Sequence, residues 1–68
     1  MQTYHIHCPF KDQLQIKAIL RRHNDVIINQ TDETGIGITV EKDNLEADEY
    51  YQKILELINR ELHLALTQ

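Results

Sequence analysis

The stretch DVIINQTDETGIGITVE, residues 25–41, lies between two longer segments without glycine and contains both glycines of the chain. Its first part, DVIINQ, is rich in β-branched residues, and TDETG supplies the polar residues and the glycine that are typical of a turn. In IGITVE the residues Ile36, Ile38 and Val40 alternate with small or polar residues, as in a strand with one buried face. The stretch predicts a β-hairpin with Gly35 in its turn and Gly37 on the outward face of its second strand.

The segments on either side of the hairpin predict two helices. Pro9 suits the first position of a helix, where its missing N–H is not needed, and no helix breaker follows before Asn24. This predicts a first helix over residues 9–23. After the hairpin, Asp43 and Glu46 have the spacing of a capping box, and the chain then has neither glycine nor proline. This predicts a second helix that starts at Asp43 and extends to Ala65.

The segment before the first helix, TYHIHC at residues 3–8, alternates in the manner of a half-buried strand. The element order is therefore β-α-β-β-α. A right-handed crossover makes the first two strands parallel, with the third between them and antiparallel to both. This α+β arrangement, a three-stranded sheet packed by two helices, resembles a ferredoxin-like sheet without its last strand. The resemblance concerns the fold only, and it implies that strand 1 is a free edge open to pairing.

With 68 residues, the chain is expected to form a single small α+β domain over residues 1–68 with a thin core. The single cysteine excludes an intramolecular disulfide and favours a reducing compartment, so the expected location is the cytoplasm. The first residues lack the basic start and apolar run of a signal peptide, and the longest apolar run of three residues is far too short to span a membrane. A thin core without disulfides favours self-association as a homodimer.

Charge is distributed unevenly along the chain. Residues 1–31 hold four Lys or Arg against two Asp or Glu, a balance of +2, whereas residues 32–68 hold three against nine, a balance of −6, and the sum is the net charge of −4. A net acidic chain is a poor candidate for binding nucleic acid. The acidic residues lack the spacing of a calcium-binding EF-hand. They are expected to form a solvated rim on the protein surface, and the alternative is that they dock on a basic partner.

The first helix has two apolar sides. At about 100° per residue, one side is predicted to pack on the sheet and consists of Ile16, Ile19, Leu20 and His23. The opposite side is apolar with basic borders, as a partner-binding surface would be, and comprises Phe10, Leu14, Lys17, Ala18, Arg21 and Arg22. In the alternative interpretation, Phe10 and Leu14 fold over the end of the sheet, or the stems of the basic side chains cover them.

The second helix is clearly amphipathic, with a core stripe that includes Tyr51, Ile54 and Ile58. Leu57 and Leu64 widen its apolar side beyond what a three-stranded sheet needs. These two leucines are therefore predicted to lie in a homodimer interface.

The segment HIHCPF, residues 5–10, contains two histidines and the only cysteine. His5 and His7 lie on one face of a strand, but a structural zinc site needs four ligands and the sequence has no second ligand pair, so no metal or other cofactor is predicted. Cys8 before a helix start is a candidate reactive thiolate, although it also belongs to the inward-facing set and is expected to be packed. No catalytic residue and no small-molecule substrate are evident.

These observations favour a non-enzymatic protein-binding or regulatory module that acts through helix 1 and the edge of strand 1. Its partner would be another protein, itself, or both. The alternative function is a small nucleic-acid-binding protein that uses the basic residues of helix 1, and a metal- or thiol-dependent sensor is third.

Overall fold

A computed structural model describes residues 1–66 of the chain. It has the predicted order of secondary-structure elements, with bounds β1 Gln2–His7, α1 Phe10–Leu20, β2 Val26–Asp32, β3 Gly35–Val40 and α2 Asn44–Leu62. The β-α-β-β-α prediction from the pattern of alternating and helical segments is therefore confirmed.

The three strands form one sheet in the order β1-β3-β2, and β3 is antiparallel to both of its neighbours. β1 and β2 are therefore parallel to each other and lie at the two edges, as the right-handed crossover predicted. In the register of β1 with β3, Ile6 lies opposite Ile36. The pairing of β2 with β3 has a β-bulge between Ile28 and Gln30, which interrupts the regular ladder along this edge strand.

A tight turn joins β2 to β3, and the Asp32 side chain stabilises it. Oδ1 of Asp32 accepts hydrogen bonds from the Thr34 N–H at 2.8 Å and from the Gly35 N–H at 3.2 Å. The Thr34 hydroxyl also donates to Asp32, and this bond, followed by the two backbone bonds, lowers the pKa of the Asp32 carboxyl. A Cβ atom at Gly35 would lie 2.0 Å from the backbone oxygen of Ile6, so only glycine fits where the turn enters β3 beside β1.

The hydrophobic core lies between one face of the sheet and the two helices. The central strand contributes the three alternating residues that its pattern predicted, Ile36, Ile38 and Val40, each with 0% exposure. The helices cover them with residues that are also buried, namely Ile16, Ile19 and Leu20 from α1 and Ala47, Tyr51, Ile54, Leu55 and Ile58 from α2. The opposite face of the sheet is not covered by either helix and carries Thr3, His5 and His7 of β1 and Gly35, Gly37 and Thr39 of β3.

α1 is shorter than the predicted span of residues 9–23. Pro9 is the residue before the helix, with an extended backbone, and the helix ends at Leu20. Arg22 and His23 donate their N–H groups to the carbonyls of Ile19 and Leu20, three residues back, so the chain tightens into a turn before it enters β2.

α2 also ends earlier than predicted, at Leu62 rather than Ala65. His63 adopts a left-handed conformation with φ of 54° and donates its N–H to the carbonyl of Asn59, which ends the helix. The Asn59 side chain then bonds both backbone groups of Leu66, at 2.7 and 3.1 Å. At the other end, Asp43 is the N-cap as predicted, but its carboxylate makes no capping hydrogen bond, and Glu46 lies 3.9 Å from Lys42 instead. The expected capping box is therefore not formed.

Within residues 1–66, neither helix is long and apolar enough to cross a membrane.

Candidate partner-binding surface

The two sides of α1 differ sharply in exposure. Ile16 and Ile19, on the predicted core side, are 0% and 5% exposed. Phe10 and Leu14, on the opposite side, are 73% and 76% exposed, and Ala18 continues the same line one turn further on. We refer to Phe10, Leu14 and Ala18 as the α1 strip. Their spacing of four residues places them on one line along the helix.

The exposure of the α1 strip argues against the alternative interpretation, in which Phe10 and Leu14 are covered within the chain. If Phe10 and Leu14 folded over the end of the sheet, or if basic side chains covered them, most of their surface would be removed from water. About three quarters of each side chain remains accessible instead. His23, which the pattern placed on the core side, is half-buried, and its Nδ1 lies 3.2 Å from the hydroxyl of Tyr50.

The basic residues predicted to border the strip are divided between two sides of the helix. Arg22 forms an ion pair with Glu61 of α2, in which Nη2 donates to Oε1 at 3.0 Å and to Oε2 at 2.8 Å. Lys17 and Arg21, one turn apart, lie instead toward β2 and make no ion pair with any of residues 1–66. Their charges are therefore available to groups outside the chain.

An open groove of about 500 Å³ separates α1 from the edge strand β2. Lys17 and Arg21 line it on the helix side, and Val26 with residues 28–31 lines it on the strand side. We refer to this feature as the α1/β2 groove. The sheet has two edge strands, β1, whose free edge was predicted from the sequence, and β2, whose free edge was not, although the same topology implies both.

The free edge of β1 is partly satisfied from within the chain. The Cys8 N–H donates to the Thr34 carbonyl, so by strand alternation the backbone groups of His5 point away from β3. The Tyr51 hydroxyl donates to the His5 carbonyl at 3.4 Å. One acceptor of this edge therefore already has a partner on α2.

The two leucines predicted at a dimer interface, Leu57 and Leu64, are half-buried and pack against the core of the same chain. Leu57 lines a shallow cleft of about 250 Å³ together with Tyr50 and Ile54. The most exposed apolar residue of α2 is Leu45 at 75%, in its first turn, which sequence analysis did not select. Packing against the core of the same chain thus accounts for part of the wide apolar side of α2.

The side chains of the HIHCPF segment are divided between the two faces of the sheet. His5 and His7 lie on the uncovered face of the sheet with ring centroids 4.6 Å apart, and Nε2 of His5 is 3.3 Å from the Thr34 hydroxyl. Cys8 is 5% exposed and lies before the N-cap of α1, with its Sγ donating to the Ile6 carbonyl at 3.5 Å. Burial, and secondarily the charge of Asp12, raises the pKa of the Cys8 thiol. In residues 1–66, no three His, Cys, Asp or Glu side chains converge as a metal site.

Gln13 is a buried polar residue that sequence analysis did not identify. It is 2% exposed, and its Nε2 donates to the carbonyls of Cys8 at 3.3 Å and of Asp32 at 2.7 Å. The side chain thereby joins the start of α1 to the end of β2. In the sequence, a polar residue next to Leu14 indicates a surface position. The role of Gln13 becomes visible only in the structure, where the two backbone carbonyls accept its hydrogen bonds.

Comparison of the whole chain with protein-family models, with curated proteins and with solved structures finds no match.

Proposed function

We propose that the protein is a non-enzymatic cytoplasmic module that binds another protein through α1 and that also forms a homodimer. The observation that carries the proposal is the exposure of Phe10 and Leu14 on a helix whose other face is fully packed. Full burial of such a side chain is worth about 1.5–3 kcal/mol. Covering the α1 strip with a partner would therefore contribute a substantial part of a binding free energy.

The positions of the potentially reactive side chains support a binding role rather than catalysis. Catalysis by a cysteine needs an accessible thiolate with an oriented base. Cys8 is buried with a raised pKa, and the His5 ring is directed to the Thr34 hydroxyl on the open face of the sheet. A free buried thiol is also what a protein of a reducing compartment would retain.

The edge of β1 is the second part of the proposed interaction surface. β1 pairs on one side only, which favours the addition of another strand. The hydrogen bond from Tyr51 to the His5 carbonyl would first have to break. Leu57 and Leu64 are half-buried, so a second copy in a homodimer would cover the part of each side chain that is still exposed.

Nucleic-acid binding by α1 is the alternative function, and the pairing of Arg22 with Glu61 weakens it. Lys11, Lys17 and Arg21 make no ion pair within residues 1–66, but they belong to a chain with a net charge of −4. Retention on heparin that falls steeply with salt and disappears in Lys17→Glu/Arg21→Glu would favour nucleic acid. Absence of retention at low salt would favour the protein-binding proposal.

A photo-crosslinking experiment tests the proposal. Benzoylphenylalanine is placed at Leu14 in one protein and at Gln52, an exposed position of α2, in the matched control. After irradiation in cells that make the protein, we expect a defined adduct from position 14, with another protein or a second copy, and none from position 52. Equal labelling from both positions would contradict a binding surface on α1.

A further inference from the structure

The α1/β2 groove, next to the α1 strip, combines a strand edge with two free cations. We infer that this groove binds an extended acidic peptide segment of a partner protein, which joins the sheet as a fourth strand beside β2. The inference rests on the proposed function, because it names the chemistry of a partner segment. It concerns a different surface of the module, however, and can be tested separately from the α1 strip.

The backbone of β2 supplies the first argument. The Glu41 N–H donates to the Asp25 carbonyl at 2.8 Å, so Asp25 and then Ile27 direct their backbone groups toward β3. Strand alternation turns the N–H and C=O of Ile28 away from β3 and toward the groove. Within residues 1–66 no strand lies on that side. An unpaired strand edge is a template for an added strand.

The charges beside this edge supply the second argument. Lys17 and Arg21 line the groove, and neither is paired with an acidic side chain of residues 1–66. Both belong to the part of the chain with a balance of +2, whereas the acidic residues are concentrated after Thr31. Complementary charge selects the partner and speeds its association. A segment that carries Asp or Glu therefore fits the groove better than a neutral or basic one.

The shape of the groove defines the pattern of the segment. Val26 and Ile28 are half-buried and pack against the core from the strand side. Alternate side chains of an added strand point to the same face of the sheet. Those directed toward α1 would meet the cations and the apolar side chains of β2. We therefore expect a segment with acidic residues at alternate positions and β-branched residues between them. The segment should be short, because the bulge between Ile28 and Gln30 limits regular pairing along β2.

The test uses the full chain and a blocked, fluorescein-labelled peptide of alternating valine and glutamate. A peptide with lysine in place of glutamate is the matched control. Binding is measured by fluorescence anisotropy, and the bound position by the shifts of backbone amides in NMR spectra. The protein variants are Lys17→Glu/Arg21→Glu, which reverses the charge of the groove, and Leu14→Glu, which changes only the α1 strip.

We expect the glutamate peptide to bind the unmodified chain and to shift the Ile28 amide. The Kd should rise about tenfold in Lys17→Glu/Arg21→Glu, because two charge pairs become repulsive, and the lysine peptide should then be preferred. The inference would be overturned if the glutamate peptide did not bind, or if it bound the unmodified chain and Lys17→Glu/Arg21→Glu with equal affinity. It would also be overturned if the peptide shifted only amides of β1. An Ile28 amide already protected by a second copy in the absence of peptide would overturn it as well.

The two proposals fail in different ways. With benzoylphenylalanine placed at the exposed Phe10, loss of the adduct in Leu14→Glu while peptide binding in the groove is absent would mean that the α1 strip stands and the groove inference is wrong. If the peptide binds as expected and Leu14→Glu leaves the adduct from position 10 unchanged, the groove inference stands and the strip is not the partner surface.

Discussion

The rings of Tyr4 and Tyr51 stack with centroids 4.1 Å apart and planes inclined by 12°, which joins the edge strand β1 to α2. The Tyr4 hydroxyl also donates to Asp48 on the same helix, and burial with this hydrogen bond raises the pKa of Tyr4 to about 12. Tyr51 is 2% exposed. This aromatic pair therefore contributes to the packing of α2 on the sheet.

The first prediction concerns this pair. Tyr51→Ala should lower the free energy of unfolding by about 3–5 kcal/mol, as for other large aromatic truncations in a core. Tyr51→Phe keeps the stacking but loses the hydrogen bond to the His5 carbonyl, so it should cost about 1 kcal/mol. Urea denaturation measures both. Tyr4→Phe, whose partner Asp48 is exposed, is the control, and a larger loss there than in Tyr51→Phe would contradict this account.

The second prediction concerns the link that Gln13 makes between α1 and β2. Gln13→Leu preserves approximate volume but leaves the carbonyls of Cys8 and Asp32 without their side-chain donor. The free energy of unfolding should fall by about 1–3 kcal/mol. Gln15→Leu, at an exposed position of the same helix, should stay within about 0.5 kcal/mol of the unmodified chain. A Gln13→Leu variant as stable as the unmodified chain would show that this link is dispensable.

The third prediction concerns the reactivity of Cys8. Only the thiolate reacts, and a thiol whose pKa is raised in the folded state carries less thiolate at any pH below its native pKa. Native protein should therefore react slowly with a disulfide reagent at neutral pH. The reaction should become faster as the pH rises above 9.0, the ordinary pKa of a cysteine thiol. Protein unfolded in urea is the control and should react at once. Rapid native labelling at mildly acidic pH would instead reveal an accessible thiolate.

The fourth prediction compares the two sides of α1. Leu14→Glu replaces an exposed side chain, so the free energy of unfolding should change by no more than about 0.5 kcal/mol. Ile19→Glu places a carboxylate among buried apolar groups and should cost several kcal/mol, enough to unfold so small a domain. Urea denaturation and circular dichroism distinguish the two. Collapse of Leu14→Glu with tolerance of Ile19→Glu would mean that the opposite side of α1 faces the core.

Periodicity predicted the elements and their faces well, since Ile36, Ile38 and Val40 in β3 and the opposed sides of α1 follow directly from residue spacing. The ends of the helices were less predictable. No glycine or proline marks the left-handed turn at His63, and the contacts of Asn59 with Leu66 form only after the chain has folded back.

Pairwise contacts between distant segments were the other limit of prediction. Nothing local to Gln13 indicates that the carbonyls of Cys8 and Asp32 converge on it. Nothing local to Arg22 distinguishes it from Lys17 and Arg21. The exposed α1 strip was predictable because a helix has only one face toward the core.

The crosslinking yield from a benzoylphenylalanine at Phe10, compared between the otherwise unmodified chain and the Leu14→Glu background, tests the central claim most directly. Phe10 and Leu14 are neighbours on the α1 strip and both are exposed, so a partner seated on the strip contacts both. A carboxylate at position 14 should remove the adduct while the chain stays folded. An adduct of undiminished yield in folded Leu14→Glu protein would show that the strip does not bind the partner.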